Sequence, residues 1–359
     1  MKGASCIQRG SQAYSRFSVF NKALFSELPY LYNDYVLSYL KSITLIHDES
    51  SEINAFYNPA NQSICITSGL MEYLWLLSYL HYDLYLQTPW GNSQIEFDFS
   101  TQPVQIEYNQ SHLEIINRMR SVLKRENAVD WPTGVTPPTY PYDVNDNTTE
   151  SKASELMLYS LAVIILHELG HHVSFVNNFH LPHNAEEMFA DWFAYTQFVD
   201  LASTNYLGAA HYDNAIRKRF FASINVGCFL LNSNLAHGHG AIHPDGISRL
   251  DAIIAHNSNI LHLSDDRLYN RREDKCDMRM VISYAAFLIC VSSQLWIDDN
   301  DIFVSKIQNA LSTTVFESPF YAYKKMRAEL SHYVEWKEQT INERAFGAAR
   351  DFILSQITR

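Results

Sequence analysis

The chain has 359 residues, of which 47% are hydrophobic and 18% charged, so a substantial core can form and general disorder is excluded. Its formal net charge of −12 provides no basic surface for nucleic acid or for an anionic membrane. Only 12 glycines stand against 22 tyrosines and 20 phenylalanines, a composition typical of a compact helical protein rather than a glycine-rich all-β one.

The five cysteines favour a reduced protein in the cytoplasm. Their number is odd, they are scattered, and no two form a Cys-x-x-Cys pair, so neither a disulfide framework nor a zinc knuckle is indicated. No apolar run precedes Cys6, which argues against a secretory leader. The longest apolar stretch, residues 281–297, is short for a membrane span and contains serine and glutamine. We therefore expect no membrane-spanning segment.

The first part of the chain is predicted to begin with helix and then to form a small sheet. Leu, Tyr and Phe recur at helical spacing from residue 20 to residue 46, so residues 1–49 are interpreted as an N-terminal helical segment. Between residues 53 and 67, β-prone residues flank an Asn-Pro-Ala-Asn turn, which predicts strand, turn and strand. A helix is predicted to follow directly, as far as residue 86.

An insertion and two closely spaced helices are predicted next. Residues 88–150 are interpreted as an insertion with alternating strand patterns, a helix at residues 112–126 and a long proline-rich loop. A strongly apolar helix is predicted at residues 151–176. A second helix follows at residues 184–203, with Asn184 as its expected N-cap.

The remaining segments complete a mainly helical chain. Residues 214–235 carry a helical pattern, a loop rich in glycine and histidine follows at residues 237–246, and further helices are predicted toward residue 357. We interpret residues 50–258 as the functional domain and residues 259–359 as a C-terminal helical region packed on it.

The most informative segment is His167-Glu168-Leu169-Gly170-His171, an H-E-x-x-H motif inside the predicted apolar helix. Histidines four residues apart lie one turn apart on one face of a helix, so both imidazoles can reach one ion. The next predicted helix carries Glu187 and, one turn further, Asp191. Two imidazoles and one carboxylate leave a fourth position for water, which is typical of a catalytic zinc rather than a structural one.

Each acidic residue of the two motifs has a predicted role. Glu168 is adjacent to a ligand and can accept a proton from water at the open position. Glu187 is the predicted third ligand and Glu186 its rival, because adjacent helical residues point about 100° apart and only one can face the metal. The Ala190-Asp191 pair favours Glu187. Asp191 is predicted to hydrogen-bond a ligand histidine and fix its tautomer.

An H-E-x-x-H motif also arises by composition alone, in about one chain of this size in a hundred. Its apolar helix and the acidic helix after it favour a catalytic metal over coincidence. A second metal site in the loop at residues 237–246 is a weaker alternative, because glycine-flanked histidines usually only line a loop. Three further histidines are interpreted as surface residues or as support for the site: His172, His180 and His183.

With these residues the chain resembles the gluzincin metallopeptidases of the HtpX and CAAX-prenyl-protease type, and it is similar to the soluble phage-exclusion peptidases of the Lit type. The resemblance covers roughly residues 50–255. It departs from the family in the long segment before the H-E-x-x-H helix and in lacking HtpX-type membrane spans. The matching segments, in the family's order, are Asn54-Ala55-Phe56 with Ile64-x-Ile66-Thr67-x-Gly69-Leu70, the zinc-site residues 167–171 and 187–191, and His243-Pro244 with Arg249-Leu250.

The resemblance implies a mainly helical α+β fold in which a zincin-like pair of active-site helices lies beside a small antiparallel sheet. The edge strand with Asn54-Ala55-Phe56 would border the cleft and pair with an extended protein or peptide substrate. We expect one zinc ion per chain and hydrolysis by water whose proton passes to Glu168. The resemblance implies that His243 lies near the substrate oxyanion. Arg249 is expected to anchor the helix that follows the loop containing His243.

Two other functions stay open at this point. A binding or sensor protein could keep the zinc site without turnover, and peptide cleavage that stops on Glu168→Gln would exclude it. A zinc hydrolase could instead act on a non-peptide amide. The predicted edge strand argues against that function, because a small substrate needs no strand partner. The sequence makes no prediction of the oligomeric state.

Overall fold

The fold is mainly helical, with one small sheet, in the part of the chain that the computed structural model describes. The mainly helical α+β class predicted from the sequence is confirmed. The strand patterns predicted at residues 95–99 and 104–108 lie outside the described part, except for residue 108, which is not in a strand. The loop that contains His243 also lies outside it. The described residues are 7–9, 17, 20, 32, 34–86, 108–124, 130–138, 148–200, 218–219, 221–230, 232–233, 249 and 343–357.

Within the described residues the elements are, in chain order, β1 (Ile7–Arg9), α1 (Asp34–Leu40), β2 (Thr44–Asp48), β3 (Ala55–Asn58), β4 (Ser63–Thr67), α2 (Ser68–Leu86), α3 (Gln110–Lys124), α4 (Thr149–Val176), α5 (His183–Tyr195), α6 (Phe221–Leu230) and α7 (Glu343–Ile357). The helices α2, α3 and α4 lie where the sequence predicts them, and a π-helical segment, Thr196–Asp200, extends α5. The helix α6 lies inside the segment predicted to be helical at residues 214–235.

The sheet is mixed, and the prediction of an antiparallel sheet is wrong. Its order is β1-β2-β4-β3, with β2 parallel to both β1 and β4, and β3 antiparallel to β4. The predicted strand, turn and strand are the β3–β4 hairpin. The strands β1 and β2 come from residues 1–49, which were predicted to be helical. The three middle residues of β2, Leu45, Ile46 and His47, are all buried. Hydrophobic periodicity does not distinguish such a short buried parallel strand from a buried helix.

Helix α4 lies at the centre of the packing, since α2, α5 and β3 all contact it. Its first turn is capped by Thr148, whose side chain accepts the N–H of Ser151 at 3.3 Å. Among the described helices, α4 is the one that is long and apolar enough to cross a membrane, with 28 residues, and 78% of its apolar window is buried inside the protein. Its apolar surface is therefore largely covered by the neighbouring elements.

Helix α5 begins earlier than the predicted N-cap, Asn184. Pro182 occupies the N-cap position, and its carbonyl accepts the N–H of Glu186 at 2.9 Å. The helix therefore starts at His183, directly after the proline, and Asn184 lies inside the first turn. This boundary places Glu186 in the first turn of α5.

Helix α7 packs against α5. The ring of Phe346 lies edge-on to that of Trp192, with centroids 6.4 Å apart. Phe352 makes a similar contact with Phe179 at 5.6 Å. These contacts connect a late segment of the chain to one of the two motif helices, while the boundaries of the predicted domains stay predictions.

A buried polar network connects α2, α4 and α6. The side-chain nitrogen of Asn225 donates to Ser78 at 3.1 Å and to Ser160 at 3.0 Å, and its oxygen lies 2.7 Å from His81 Nδ1. Nδ1 of His81 therefore carries the proton, whereas Nε2 has no hydrogen-bond partner among the described residues. Burial lowers the pKa of His81 to about 3, although the bond with Asn225 opposes this shift.

Acid is expected to destabilise the fold through His81. The pKa is about 3 in the folded protein against 6.5 for an ordinary histidine, so the neutral form is favoured on folding. The stabilisation is complete above pH 6.5 and is lost as the pH falls toward 3, by up to about 1.4 kcal/mol per pH unit. Urea unfolding at decreasing pH should show a steeper loss for the wild type than for His81→Gln. Equal pH dependence would contradict this role.

Candidate active site

The two motif histidines and Glu187 converge on one point between α4 and α5. The Nε2 atoms of His167 and His171 lie 3.2 Å apart. The carboxylate of Glu187 lies 3.5 Å from His167 Nε2 and 3.4 Å from His171 Nε2. Their ligating atoms all lie within 4.8 Å of one another, so the three residues could hold a metal ion.

The helices α4 and α5 approach each other closely beside these residues. A Cβ atom on Gly170 would lie 2.7 Å from the Cα of Ala190 and 3.1 Å from its Cβ. Gly170 precedes His171 directly, and Ala190 lies about one turn after Glu187. A side chain at Gly170 would push α5 away, and Glu187 with it. The glycine of the motif is therefore required by close packing at the level of the ligands.

Glu186, the rival of Glu187, contacts the other nitrogen of the second histidine. Its Oε1 lies 3.6 Å from His171 Nδ1, and its side chain is 34% exposed. The side chain of Glu187 is 5% exposed and faces Nε2 of both histidines. The geometry thus separates the two residues, and Glu187 is the one in the cluster.

A buried ion pair supports His167 from the side away from the cluster. Asp191 lies 2.9 Å from His167 Nδ1. Arg249 donates twice to the same carboxylate, through Nη2 at 2.7 Å and through Nε at 2.8 Å. The hydrogen bond at Nδ1 fixes the tautomer of His167 and leaves Nε2 to the cluster. The structure therefore brings together Asp191 and Arg249, two residues that the sequence analysis selected.

The carboxylates around His167 favour a positive charge at this point. Burial alone would lower the pKa of His167, but hydrogen bonds with Asp191 and Glu187 outweigh it and raise the pKa to about 10. Burial alone would raise the pKa of Asp191, and Arg249 together with His167 keeps it below its ordinary value. The arrangement therefore favours a positive charge at His167, and either a proton or a metal ion can supply that charge.

Glu168 is held by the sheet rather than by its own helix. It is buried, and its Oε2 accepts the backbone N–H of Tyr57 in β3 at 2.7 Å. Burial raises the pKa of Glu168, while the charges of His167 and His171 and the bond from Tyr57 oppose the shift. Its position beside the histidines therefore depends on where β3 lies.

The cluster opens into a cavity of about 560 Å³. The predicted substrate segment Asn54-Ala55-Phe56 borders it, together with Tyr57. Phe56 and Phe175 present aromatic surface there, since they are 42% and 51% exposed. Ligand cavities commonly measure roughly 300–1,000 Å³, so the volume of this one lies within the usual range. Apolar side chains from the helices complete the lining: Val163, Ile164, Ala194, Val226, Phe229 and Leu230.

Tyr57 and the apolar part of the cavity were not predicted from the sequence. Tyr57 follows the Asn54-Ala55-Phe56 segment, and the alternation of a strand could have paired it with Ala55 at the same edge. Val163 and Ile164 lie four and three residues before His167, a spacing that faces the same side of a helix. The residues of α6 carry no local signal, because only the tertiary fold brings them to the cavity.

The chain matches a known protein family over the region that contains the site. The family model described as Peptidase U49 matches residues 64–267. The match spans more than half of the chain, from β4 through both motif helices to beyond Arg249. The chain belongs to the peptidase U49 family. A search of curated proteins and a search of solved structures found no match.

Membership of this family supports a peptidase, and therefore a protein substrate. It agrees with the resemblance to peptidases of the Lit type. The more specific resemblance to the HtpX and CAAX-prenyl-protease type stays a prediction. His243, which carries part of that resemblance, lies outside the described residues, so its role stays a prediction too.

Gly170→Ala is expected to weaken metal binding and to destabilise the fold. The new methyl group would overlap Ala190, and overpacking of a close contact typically costs about 1–3 kcal/mol. Because the displaced helix carries Glu187, zinc affinity should fall together with the free energy of unfolding. Urea unfolding and zinc competition with a chelator measure the two effects.

Gly347→Ala in α7 is the matched control for this substitution. A Cβ atom there meets nothing within 4 Å, so the change should be neutral or should stabilise α7 by up to about 1 kcal/mol. If both variants kept the wild-type zinc affinity and stability, the close approach of α4 and α5 would not control the site.

Glu187→Ala is expected to lose zinc, whereas Glu186→Ala should keep it. Only Glu187 faces the shared Nε2 side of the two histidines. The measurement is the zinc content of the purified proteins, with about one zinc per chain expected in the wild type. Zinc loss in Glu186→Ala combined with retention in Glu187→Ala would reverse the assignment of the third ligand.

Proposed function

We propose that the chain is a zinc-dependent endopeptidase that holds one zinc ion through His167, His171 and Glu187. At metal–ligand distances of about 2.1 Å, the ligand atoms of a tetrahedral zinc lie about 3.4 Å apart. In the cluster the two Nε2 atoms lie 3.2 Å apart, and each imidazole faces one oxygen of Glu187, at 3.5 Å from His167 Nε2 and 3.4 Å from His171 Nε2. Two imidazoles and one carboxylate also match the ligand set of catalytic zinc, with a fourth position for water. The convergence of these three side chains on one point is the observation that carries the proposal.

Zinc, when bound, supplies a Lewis acid that polarises water and the scissile carbonyl. The other steps belong to residues of the chain. Glu168 accepts the proton of the attacking water and returns it to the leaving amine. The N–H of Tyr57 engages Glu168 Oε2, and we assign Oε1 to the water. Asp191 keeps a proton on His167 Nδ1, so that Nε2 stays available as a ligand.

Strand β3 is the proposed binding element for the backbone of the substrate. It lies at one end of the order β1-β2-β4-β3 formed by the described strands. The N–H of Tyr57 points away from β4 toward Glu168, and the period of a strand turns the backbone of Ala55 to the same edge. An extended peptide can pair with this edge and bring its scissile bond beside Glu168. A small non-peptide amide has no extended backbone that could pair with this strand.

Two further parts of the proposal rest on the sequence. The family resemblance leads us to propose His243 as a hydrogen-bond donor to the substrate oxyanion. Arg249, a little further along the chain, binds Asp191 and lies 4.0 Å from Glu187, which supports a role of this segment in the site. The odd number and the scatter of the five cysteines support a proposed location in the reducing cytoplasm.

Glu168→Gln is expected to keep zinc and to lose peptidase activity. The amide has nearly the shape of the carboxylate but cannot accept the proton, and positioned proton transfer contributes about 10²–10⁴-fold to the rate. The zinc-loaded wild type and the variant are each incubated with a proteome-derived peptide library, and new peptide termini are identified by mass spectrometry. We expect termini that form with the wild type and are missing with the variant.

Two other results would contradict the proposal in different ways. A wild type that holds zinc but cuts no peptide would favour the alternative of a sensor or interaction protein. Equal cleavage by the wild type and Glu168→Gln would keep the peptidase and exclude Glu168 as its base. The zinc content of both proteins is measured in parallel, so that loss of metal is not mistaken for loss of the base.

A further inference from the structure

His172 follows the ligand His171 but is used by neither the metal cluster nor the proposed reaction. It is buried, with only 2% of its surface exposed. Its Nδ1 lies 2.9 Å from the hydroxyl of Tyr57, and its Nε2 lies 3.3 Å from the hydroxyl of Ser42. A buried imidazole with a partner on each nitrogen is a fixed structural link, and one of its partners belongs to the strand that borders the active site.

The protons of this chain of hydrogen bonds can be assigned. The hydroxyl of Ser42 donates to the carbonyl of Tyr39 at 2.7 Å, so its oxygen accepts from His172 Nε2. In the neutral imidazole Nδ1 then has no proton and accepts one from the hydroxyl of Tyr57. The link therefore runs in one direction, from β3 through α4 to the end of α1.

Tyr57 contacts α4 at two points. Its backbone N–H donates to Glu168 Oε2 at 2.7 Å, and its hydroxyl donates to His172. Its ring also lies edge-on to the imidazole, with centroids 5.2 Å apart at 69°. Glu168 and His172 are one helical turn apart on the same face of α4. Since the N–H of a strand lies in the plane of the sheet and the side chain stands perpendicular to it, the two contacts hold β3 in two directions.

We propose that Tyr57 and His172 are positioning residues that fix strand β3 against α4, and thereby fix the N–H that orients Glu168. The catalytic part of this inference rests on the proposed peptidase function. The Tyr57 hydroxyl acts at a distance from the reacting atoms, through the backbone of its own residue. Without it, β3 would keep its pairing with β4 but would move more freely relative to the carboxylate.

The test compares Tyr57→Phe with Tyr39→Phe in the zinc-loaded protein. Tyr57→Phe removes only the hydroxyl that binds His172. Tyr39→Phe is the matched control, because its ring also packs on His172, at 6.1 Å, while its hydroxyl lies 3.4 Å from that of Tyr35. His172→Asn keeps an acceptor near the position of Nδ1 and should therefore retain part of the positioning of β3. His172→Leu has no acceptor and should lose it.

The first readout is hydrogen exchange of the β3 amides, which requires no activity. One side-chain hydrogen bond contributes about 1 kcal/mol, so exchange in residues 55–58 should become about fivefold faster in Tyr57→Phe and stay unchanged in Tyr39→Phe. Unchanged exchange in Tyr57→Phe would overturn the inference whether or not the protein is a peptidase.

The second readout is kinetic and uses the peptide of the library that the wild type cuts fastest. We expect kcat of Tyr57→Phe to fall about fivefold, with KM and zinc content close to the wild type, because the defect lies in the orientation of Glu168. If exchange in Tyr57→Phe were faster but its kcat equalled that of the Tyr39→Phe control, the positioning role would be overturned. The proposed peptidase would stay in place. A wild type that cuts no peptide would refute the peptidase, and with it the catalytic part of this inference, while the exchange readout would still decide the contact between β3 and α4.

Discussion

The close contact between Gly170 and Ala190 is the constraint on which the rest of the site depends. The two histidines come from α4 and the carboxylate of Glu187 comes from α5, so their convergence requires the two helix backbones to be nearly in touch. Small residues on both helices permit this approach. Everything that packs around the pair, including α2 and β3 against α4 and α7 against α5, helps to hold that distance. The H-E-x-x-H motif therefore supplies both the chemical groups of the site and the glycine that lets α4 and α5 pack closely.

The second requirement of the site is to stabilise four ionisable groups that are largely buried. Glu168, Glu187, Asp191 and Arg249 are each less than a tenth exposed. Buried charges are costly unless they are paired and hydrogen-bonded. Arg249 neutralises Asp191 with two hydrogen bonds, and the backbone of Tyr57 supplies a donor to Glu168. The remaining negative charge, on Glu187, faces the two imidazoles, which explains why the cluster is suited to a cation.

Local sequence patterns predicted the parts of the structure that are set by local rules. The H-E-x-x-H spacing and the following acidic helix identified the three residues of the cluster, and the turn before Ser63 identified the β3–β4 hairpin. The strand β2 was predicted as helix, because a short apolar run buried in a parallel sheet has no distinctive period. Tyr57 and the residues of α6 were missed because their contacts with the site are set by tertiary packing. The contact between Tyr57 and Glu168, for example, joins residues 111 positions apart.

The ion pair between Asp191 and Arg249 has a consequence for the order in which the protein is made. The two residues are 58 positions apart, and Phe346, which packs on the helix of Asp191, is made later still. A ribosome releases the chain from its N-terminus, so α4 and α5 emerge well before either partner. Until residue 249 has emerged, Asp191 lacks the two hydrogen bonds that Arg249 donates to it in the folded protein. The nascent chain thus carries the three residues of the cluster before it carries the ion pair that supports His167.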